Sequence, residues 1–208
     1  MRVLELFSGT GSVGKICKEL GYEVVSLDLS NADINTDIMN WNYQEMFDVG
    51  YFDMIWCSPP CNSFSVLQNA IKTKEEIYKN IHDNGLPVLN KTLEVVEYFK
   101  PKYYFIENPQ TGRMKEFITD RPFVDVDYCM YCDWGYKKRT RVWTNKSKEK
   151  INPLLCNKKC GNMVQVNGSL VHKKNCGNSS QIIKTNSKST RLKERYRIPE
   201  KLLYSLLV

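Results

Sequence analysis

The sequence predicts an α/β protein: a doubly wound, mostly parallel sheet with an antiparallel edge and a small basic C-terminal lobe. Three observations carry this prediction. Short apolar runs bounded by turn residues alternate with segments of helical spacing, the signature of strands joined by crossover helices. The first run leads into a glycine-rich turn, ELFSGTGSVGK. Two late runs, 123–131 and 139–144, alternate β-branched, aromatic and polar residues and read as a strand pair.

The elements follow in order. Residues 2–6 form a short buried strand, and 13–20 a helix stopped by Gly21. Residues 22–28 make a second strand ending in Asp28, and 53–57 another, leading to SPPC. A long helix covers 84–99 and ends at Pro101. Residues 103–106 form the next strand, running into Glu107. After Asn145 the pattern gives way to a Lys-, Asn- and Gly-rich stretch with clustered cysteines, and an amphipathic helix, 199–207, closes the chain. The expected division is 1–145 as the main α/β unit, 146–188 as a basic lobe and 189–208 as a helix that packs back.

A chain of 208 residues with 42% hydrophobic residues buries a real core. No segment has the length of a membrane span, and no basic region precedes an apolar run at the N-terminus. The eight cysteines then fit thiols, ligands or nucleophiles in a reducing, intracellular compartment. The expectation is a monomer with no membrane partner. The net charge of +7 hides an asymmetry. Residues 1–132 carry 12 Lys and Arg against 19 Asp and Glu, and residues 133–208 carry 18 against 4. The basic half points to a polyanion, because Lys and Arg neutralise phosphates and release counterions.

The glycine loop admits three ligands. A P-loop requires Ser or Thr after Lys15, and Ile16 stands there. Gly9, Gly11 and Gly14 fit G-x-G-x-x-G, with Asp28 at the distance of a ribose-binding acid. A binder of S-adenosylmethionine uses the same loop and the same acid, so the loop alone does not choose. The second site is SPPCNSFS, 58–65. Its prolines stiffen the backbone and present Cys61 at the carboxyl end of the sheet, where open α/β folds place their chemistry. The next strand ends in IENP, which aims Glu107 at the same cleft, and Arg139 and Arg141 share one face of a later strand.

In the ordered series ELFSGTG, Asp28, TDI (36–38), SPPC, IEN and RTR the chain resembles the DNA (cytosine-5) methyltransferases, and its length is closest to small phage and viral members. The resemblance covers most of residues 1–144. It implies a Rossmann-like fold with S-adenosylmethionine as cofactor. Phe7, Ser8, Gly9 and Gly11 would line the methionine end, Asp28 would hold the ribose, and Leu29 would lie against the adenine. Asp37 would accept from the adenine amino group, Ile38 would pack on its face and Pro59 would close the pocket. Cys61 would attack C6 of a cytosine flipped out of duplex DNA. Glu107 would stabilise the ring at N3, Arg141 would donate to O2 and Arg139 would brace the active-site loop. Asn62 replaces the family's usual Gln, Pro109 its Val and Lys137 the Gln that opens its arginine strand.

Three other functions fit parts of this pattern. An amino methyltransferase also carries S-P-P but needs no thiol. An RNA cytosine-5 methyltransferase would share the chemistry. A non-catalytic cofactor- or DNA-binding protein would dispense with Cys61 or Glu107. Only about 45 residues separate the arginine strand from the closing segment, so the target sequence is expected to be short or loosely specified. That stretch contains Cys156, Cys160, His172 and Cys176, a C-x3-C-x11-H-x3-C spacing that suits tetrahedral zinc. Cys129 and Cys132 read as packing residues on a strand.

Overall fold

A computed structural model describes residues 1–174, 194 and 196–208. Its centre is a seven-stranded sheet. In chain order the strands are β1 (Arg2–Leu6), β2 (Glu23–Asp28), β3 (Ile34–Asn35), β4 (Met54–Cys57), β5 (Tyr103–Pro109), β6 (Phe123–Asp127) and β7 (Arg139–Thr144). They lie side by side as β3-β2-β1-β4-β5-β7-β6. The first five pair in parallel, and β7 runs antiparallel to both β5 and β6. The chain order reverses between β1 and β4. In open α/β sheets ligands bind at such a switch point, off the carboxyl ends of the strands.

Strand alternation sorts the core onto two faces. Leu4, Leu6, Ile55, Cys57, Ile106 and Trp143 enter one cluster, which α4 (Leu86–Phe99) covers with Leu89, Val95, Val96 and Phe99. Val3, Met54, Trp56, Phe105 and Val142 enter the other. That face is covered by α1 (Ser12–Glu19) and by the closing helix Glu200–Leu207, which buries Leu202, Leu203, Leu206 and Leu207. Lys15 binds Glu200 at 2.6 Å, and Tyr204 donates to Glu19 at 2.8 Å. Lys146 donates to the Leu206 carbonyl at 2.8 Å, a cation placed at the helix's negative end.

Three elements depart from the sequence prediction. The helix expected over 84–99 extends a run that starts earlier, with α2 (Tyr43–Met46) before it in the chain and α3 (Lys74–Asn80) passing into a π-helical turn, Ile81–Gly85, and then α4. Thr73 and Glu76 form a reciprocal capping box at its start, a signal present in TKEE. The strand expected over 123–131 stops at Asp127, and a 3-10 turn takes Tyr128–Met130. After a short helix, α5 (Lys148–Ile151), the patternless lobe contains a hairpin, β8 (Met163–Val166) with β9 (Ser169–His172). Asn167 and Gly168 both have positive φ, 47° and 77°, as a two-residue type I′ turn requires.

Candidate active site

The SPPC loop leaves β4 at Cys57 and is pinned at successive points. The Ser58 N–H donates to the Leu6 carbonyl at 3.2 Å, so the loop emerges beside the end of β1. Trp56 Nε1 donates to Ser58 Oγ at 2.9 Å. Buried Asn108, on β5, donates to the Pro59 carbonyl at 2.8 Å. Phe64 is buried against the helical run at Gly85, where an added Cβ would lie 3.0 Å from the Phe64 ring. A larger residue there would have to displace the Phe64 ring or Ser63 by a few tenths of an ångström. Half-buried Cys61 is thus held by contacts on both sides.

Glu107 lies near the carboxyl end of β5, next to this loop, and is 7% exposed. Its Oε1 accepts from the Tyr128 hydroxyl at 3.1 Å and lies 3.6 Å from Lys138 Nζ. The ammonium of Lys138 also sits 4.7 Å from the centre of the Tyr128 ring. Burial pushes the Cys61 thiol above its ordinary pKa, the Glu107 charge pushes it further, and Lys138 pulls it back. Cys61, Glu107 and Lys138 therefore form one electrostatic group, with Tyr128 holding the carboxyl group. Burial also drives Tyr128 well above the ordinary phenol range, so it stays a neutral donor.

The two arginines are placed elsewhere. Arg141 pairs across β5 with Asn108, while Glu107 pairs with Val142, so the side chains of Arg141 and Glu107 leave the sheet on opposite faces. The Arg141 fork closes on Asp125 through contacts of 2.8 and 2.9 Å and lies 3.5 Å from the Phe123 ring centre. Arg139 closes on Asp127 at 3.0 and 2.8 Å. Arg141, expected to donate to the base, thus engages Asp125 through Nε and Nη2 on the face away from Glu107, and the cation beside Glu107 is Lys138. Arg139, expected to brace the Cys61 loop, is tied here to β6 through Asp127, which also accepts from the Cys156 N–H in the lobe. Strand parity in KKRTR could have shown this, since residues that alternate with the arginines must face the other way. Tyr128 has no such signal, because it lies beyond the end of β6 on the 3-10 turn.

The residues that the resemblance assigns to the cofactor gather at the carboxyl ends of the first strands. Backbone bonds zip these loops together: Ser8 N–H to the Leu27 carbonyl at 3.2 Å and Thr36 N–H to the Asp28 carbonyl at 2.9 Å. Asp28 accepts from the N–H groups of Gly9, at 2.8 Å, and Leu29, at 2.7 Å. It thus ties the glycine loop to β2. Gly14 packs on β1, where an added Cβ would come within 2.6 Å of the Glu5 carboxylate. Glu5 is held by the Gly14 N–H, and burial lifts its pKa to about 7. Phe7 and Ser8 are half-buried, Gly9 and Asp37 exposed, Ile38 and Pro59 buried, and Leu29 is 72% exposed. An exposed apolar side chain thus stands beside an acid and next to a glycine turn. Two clefts, of about 870 and 320 Å3, border Gly11 on the α1 side, and neither is lined by Asp28, Leu29, Asp37, Ile38 or Pro59.

Cys156, Cys160 and His172 come together in the lobe, but their companion is Cys129. The ligand atoms of these four residues all lie within 4.8 Å of one another. The expected fourth ligand, Cys176, lies outside the described residues. Cys129 sits on the 3-10 turn rather than a strand, whereas Cys132 donates its thiol to the Tyr128 carbonyl at 3.1 Å and packs on the core. Among the described residues no helix is long and apolar enough to cross a membrane.

No protein-family model matches the chain. It is 39% identical over 220 aligned positions to a Frog virus 3 (isolate Goorha) protein named "Probable DNA (cytosine-5)-methyltransferase", covering 100% of this chain and 99% of that one. Among solved structures, the Entamoeba histolytica methyltransferase EhMeth aligns with a TM-score of 0.50 and 18% identity, over 69% of this chain and 52% of that one. A prophage-encoded methyltransferase of E. coli aligns with a TM-score of 0.47 and 16% identity, over 76% of this chain and 52% of that one. The chain therefore spans nearly the whole viral relative and about half the length of these two solved chains.

Proposed function

The chain belongs to the DNA (cytosine-5)-methyltransferase family, and from that premise we propose that it methylates C5 of cytosine in DNA through a covalent bond between Cys61 and C6. The observation that carries this reading is the meeting of Cys61 and Glu107 at the carboxyl ends of adjacent parallel strands. An amino methyltransferase has no use for that pair.

Cytosine C5 is a weak nucleophile. Addition of the Cys61 sulfur to C6 places electron density on C5, and Glu107 stabilises the ring by sharing a proton at N3. Tyr128 and Lys138 hold the Glu107 carboxyl group from its other side, and Lys138 favours the Cys61 thiolate. Phe7, Ser8, Gly9, Gly11, Asp28, Leu29, Asp37, Ile38 and Pro59 would hold S-adenosylmethionine, which would supply the methyl group to C5 and leave as the neutral thioether. Loss of the C5 proton then drives elimination, the S–C6 bond breaks and the thiolate returns. A stacked base cannot present C6 to a thiol, so the target cytosine leaves the helix. The basic lobe would supply phosphate contacts, and its Cys/His cluster would hold a structural zinc ion.

DNA containing 5-fluorocytosine tests the covalent step, because fluorine at C5 cannot leave as a proton and the adduct persists. A cofactor-dependent adduct that resists denaturation is expected with the wild type and not with Cys61→Ser. An adduct formed only on RNA would transfer the reading to that polymer. Methyl transfer without any adduct would overturn it.

A further inference from the structure

The Cys/His cluster joins two parts of the molecule that the sequence separates. We propose that its metal is shared between the lobe and the catalytic sheet, with Cys129 as the ligand from the sheet, and that the metal thereby positions Tyr128 against Glu107. The proposal rests on the zinc reading above and adds the identity of the fourth ligand and its consequence.

The two S···N separations match those of a tetrahedral site. Zinc bonds of about 2.3 Å to sulfur and 2.0–2.1 Å to nitrogen set S···N separations of about 3.5 Å. His172 Nε2 lies 3.6 Å from Cys156 Sγ and 3.4 Å from Cys160 Sγ. Three thiolates and one imidazole match zinc's preference for soft sulfur and nitrogen ligands. The surrounding bonds suit thiolates. The Lys158 N–H points at Cys156 Sγ at 3.4 Å. Buried Asn162 donates to the carbonyls of Cys129, at 3.0 Å, and Cys132, at 2.8 Å, and accepts from the Gly135 N–H at 3.1 Å. The Cys156 N–H donates to Asp127 at 2.7 Å. Such outer bonds orient metal ligands.

The lobe needs this support. Val164, Gln165 and Val166 on β8 and Ser169, Leu170 and Val171 on β9 are all exposed, so the hairpin has no fully buried apolar side chain. Metal binding can supply the ordering that such a segment lacks, with the three thiols releasing their protons to solvent as the bonds form. On the sheet side, Cys129 follows Tyr128 directly, and Tyr128 carries the hydrogen bond to Glu107. A metal that fixes Cys129 fixes the turn from which that hydroxyl reaches the carboxyl group.

Metal content and cobalt spectra test this on the full chain. About one zinc per wild-type chain is expected by elemental analysis after zinc-supplemented growth; a chain that takes up neither zinc nor cobalt would remove the zinc reading itself. With Co(II) in place of zinc, the sulfur-to-cobalt band should have the intensity of three Co–S bonds. In Cys129→Ser it should fall to that of two bonds or vanish, and in Cys176→Ser it should stay unchanged. The reverse pattern, loss in Cys176→Ser with Cys129→Ser unaffected, would leave the zinc reading standing and overturn the assignment of Cys129. The coupling has its own readout in the wild type. Stripping the metal should move the pH profile of Cys61 alkylation, since that thiol senses Glu107. A profile unmoved by chelation that does release the metal would overturn the positioning role.

Discussion

The carboxyl end of the sheet and the C-terminal lobe hold their chemical groups by different means. Cys61 and Glu107 extend from strands whose residues are buried on both faces, and their placement follows from close packing of Trp56, Phe64, Phe105 and Ile106. The lobe has a hairpin with hardly a buried side chain, held by Asp127, Asn162 and four potential metal ligands. Apolar burial can position a reactive group to a fraction of an ångström without any ligand. A segment with no core needs polar bonds and a metal to reach the same order. Asp127 stands at the joint, binding Arg139 on the sheet side and the Cys156 N–H on the lobe side.

The largest effect should come from Glu107→Gln. Proton sharing with the ring contributes about 10²–10⁴-fold in comparable catalysts, so single-turnover methyl transfer should fall within that range. Cofactor affinity and metal content should not change, because Glu107 touches neither set of residues. A variant that lost metal as well as turnover would break the separation between the two regions.

A smaller effect should follow Asp127→Ala. This carboxylate is fully buried and accepts from Arg139 and from the Cys156 backbone. Hydrogen bonds to charged groups contribute about 1.5–3 kcal/mol each way of counting, and half-exposed Arg139 can turn to water. Urea unfolding should therefore show a loss of about 1.5–3 kcal/mol. Hydrogen exchange should quicken first at β8 and β9, whereas β1, β4 and β5 should keep their protection. Uniform loss of protection across the chain would mean that lobe and sheet unfold as one unit.

The contrast also governs what the sequence could disclose. Strands buried on both faces read plainly as apolar runs, and the glycine loop, SPPC and IEN followed their ends. The Asn167–Gly168 hairpin had its turn signal, but its strands lack the apolar alternation that marks a half-buried pair, so the composition read as loop. Cys129 was hidden for another reason. Its C-x-x-C partner in sequence, Cys132, faces the core, while its partners in space lie 27 to 43 residues further on. Lys138 is legible by parity alone, since it alternates with the arginines of KKRTR that match the motif. The remaining part, the Tyr128 contact with Glu107, depends on where a turn places a hydroxyl and leaves no pattern in the chain.

The smallest effect is the most specific to the sheet end. Lys138 is the cation that draws the Cys61 thiol down against burial and the Glu107 charge. Replacing it with Gln removes positive charge near the sulfur, which disfavours the thiolate, so the pH midpoint of Cys61 alkylation should move upward. Glu107→Gln removes a negative charge from the same place and should move it downward. The thiolate is the nucleophile, and its population rises with pH. Lys138→Gln should therefore lower methyl transfer a few-fold near neutral pH and recover toward the wild-type rate as the medium becomes more alkaline. Arg141→Gln is the control. Its guanidinium lies on the opposite face, closed on Asp125, so the Cys61 profile should stay where it is. A shift in Arg141→Gln as large as in Lys138→Gln would return the arginine to the catalytic group and remove the face-by-face separation of Glu107 from the arginine ladder.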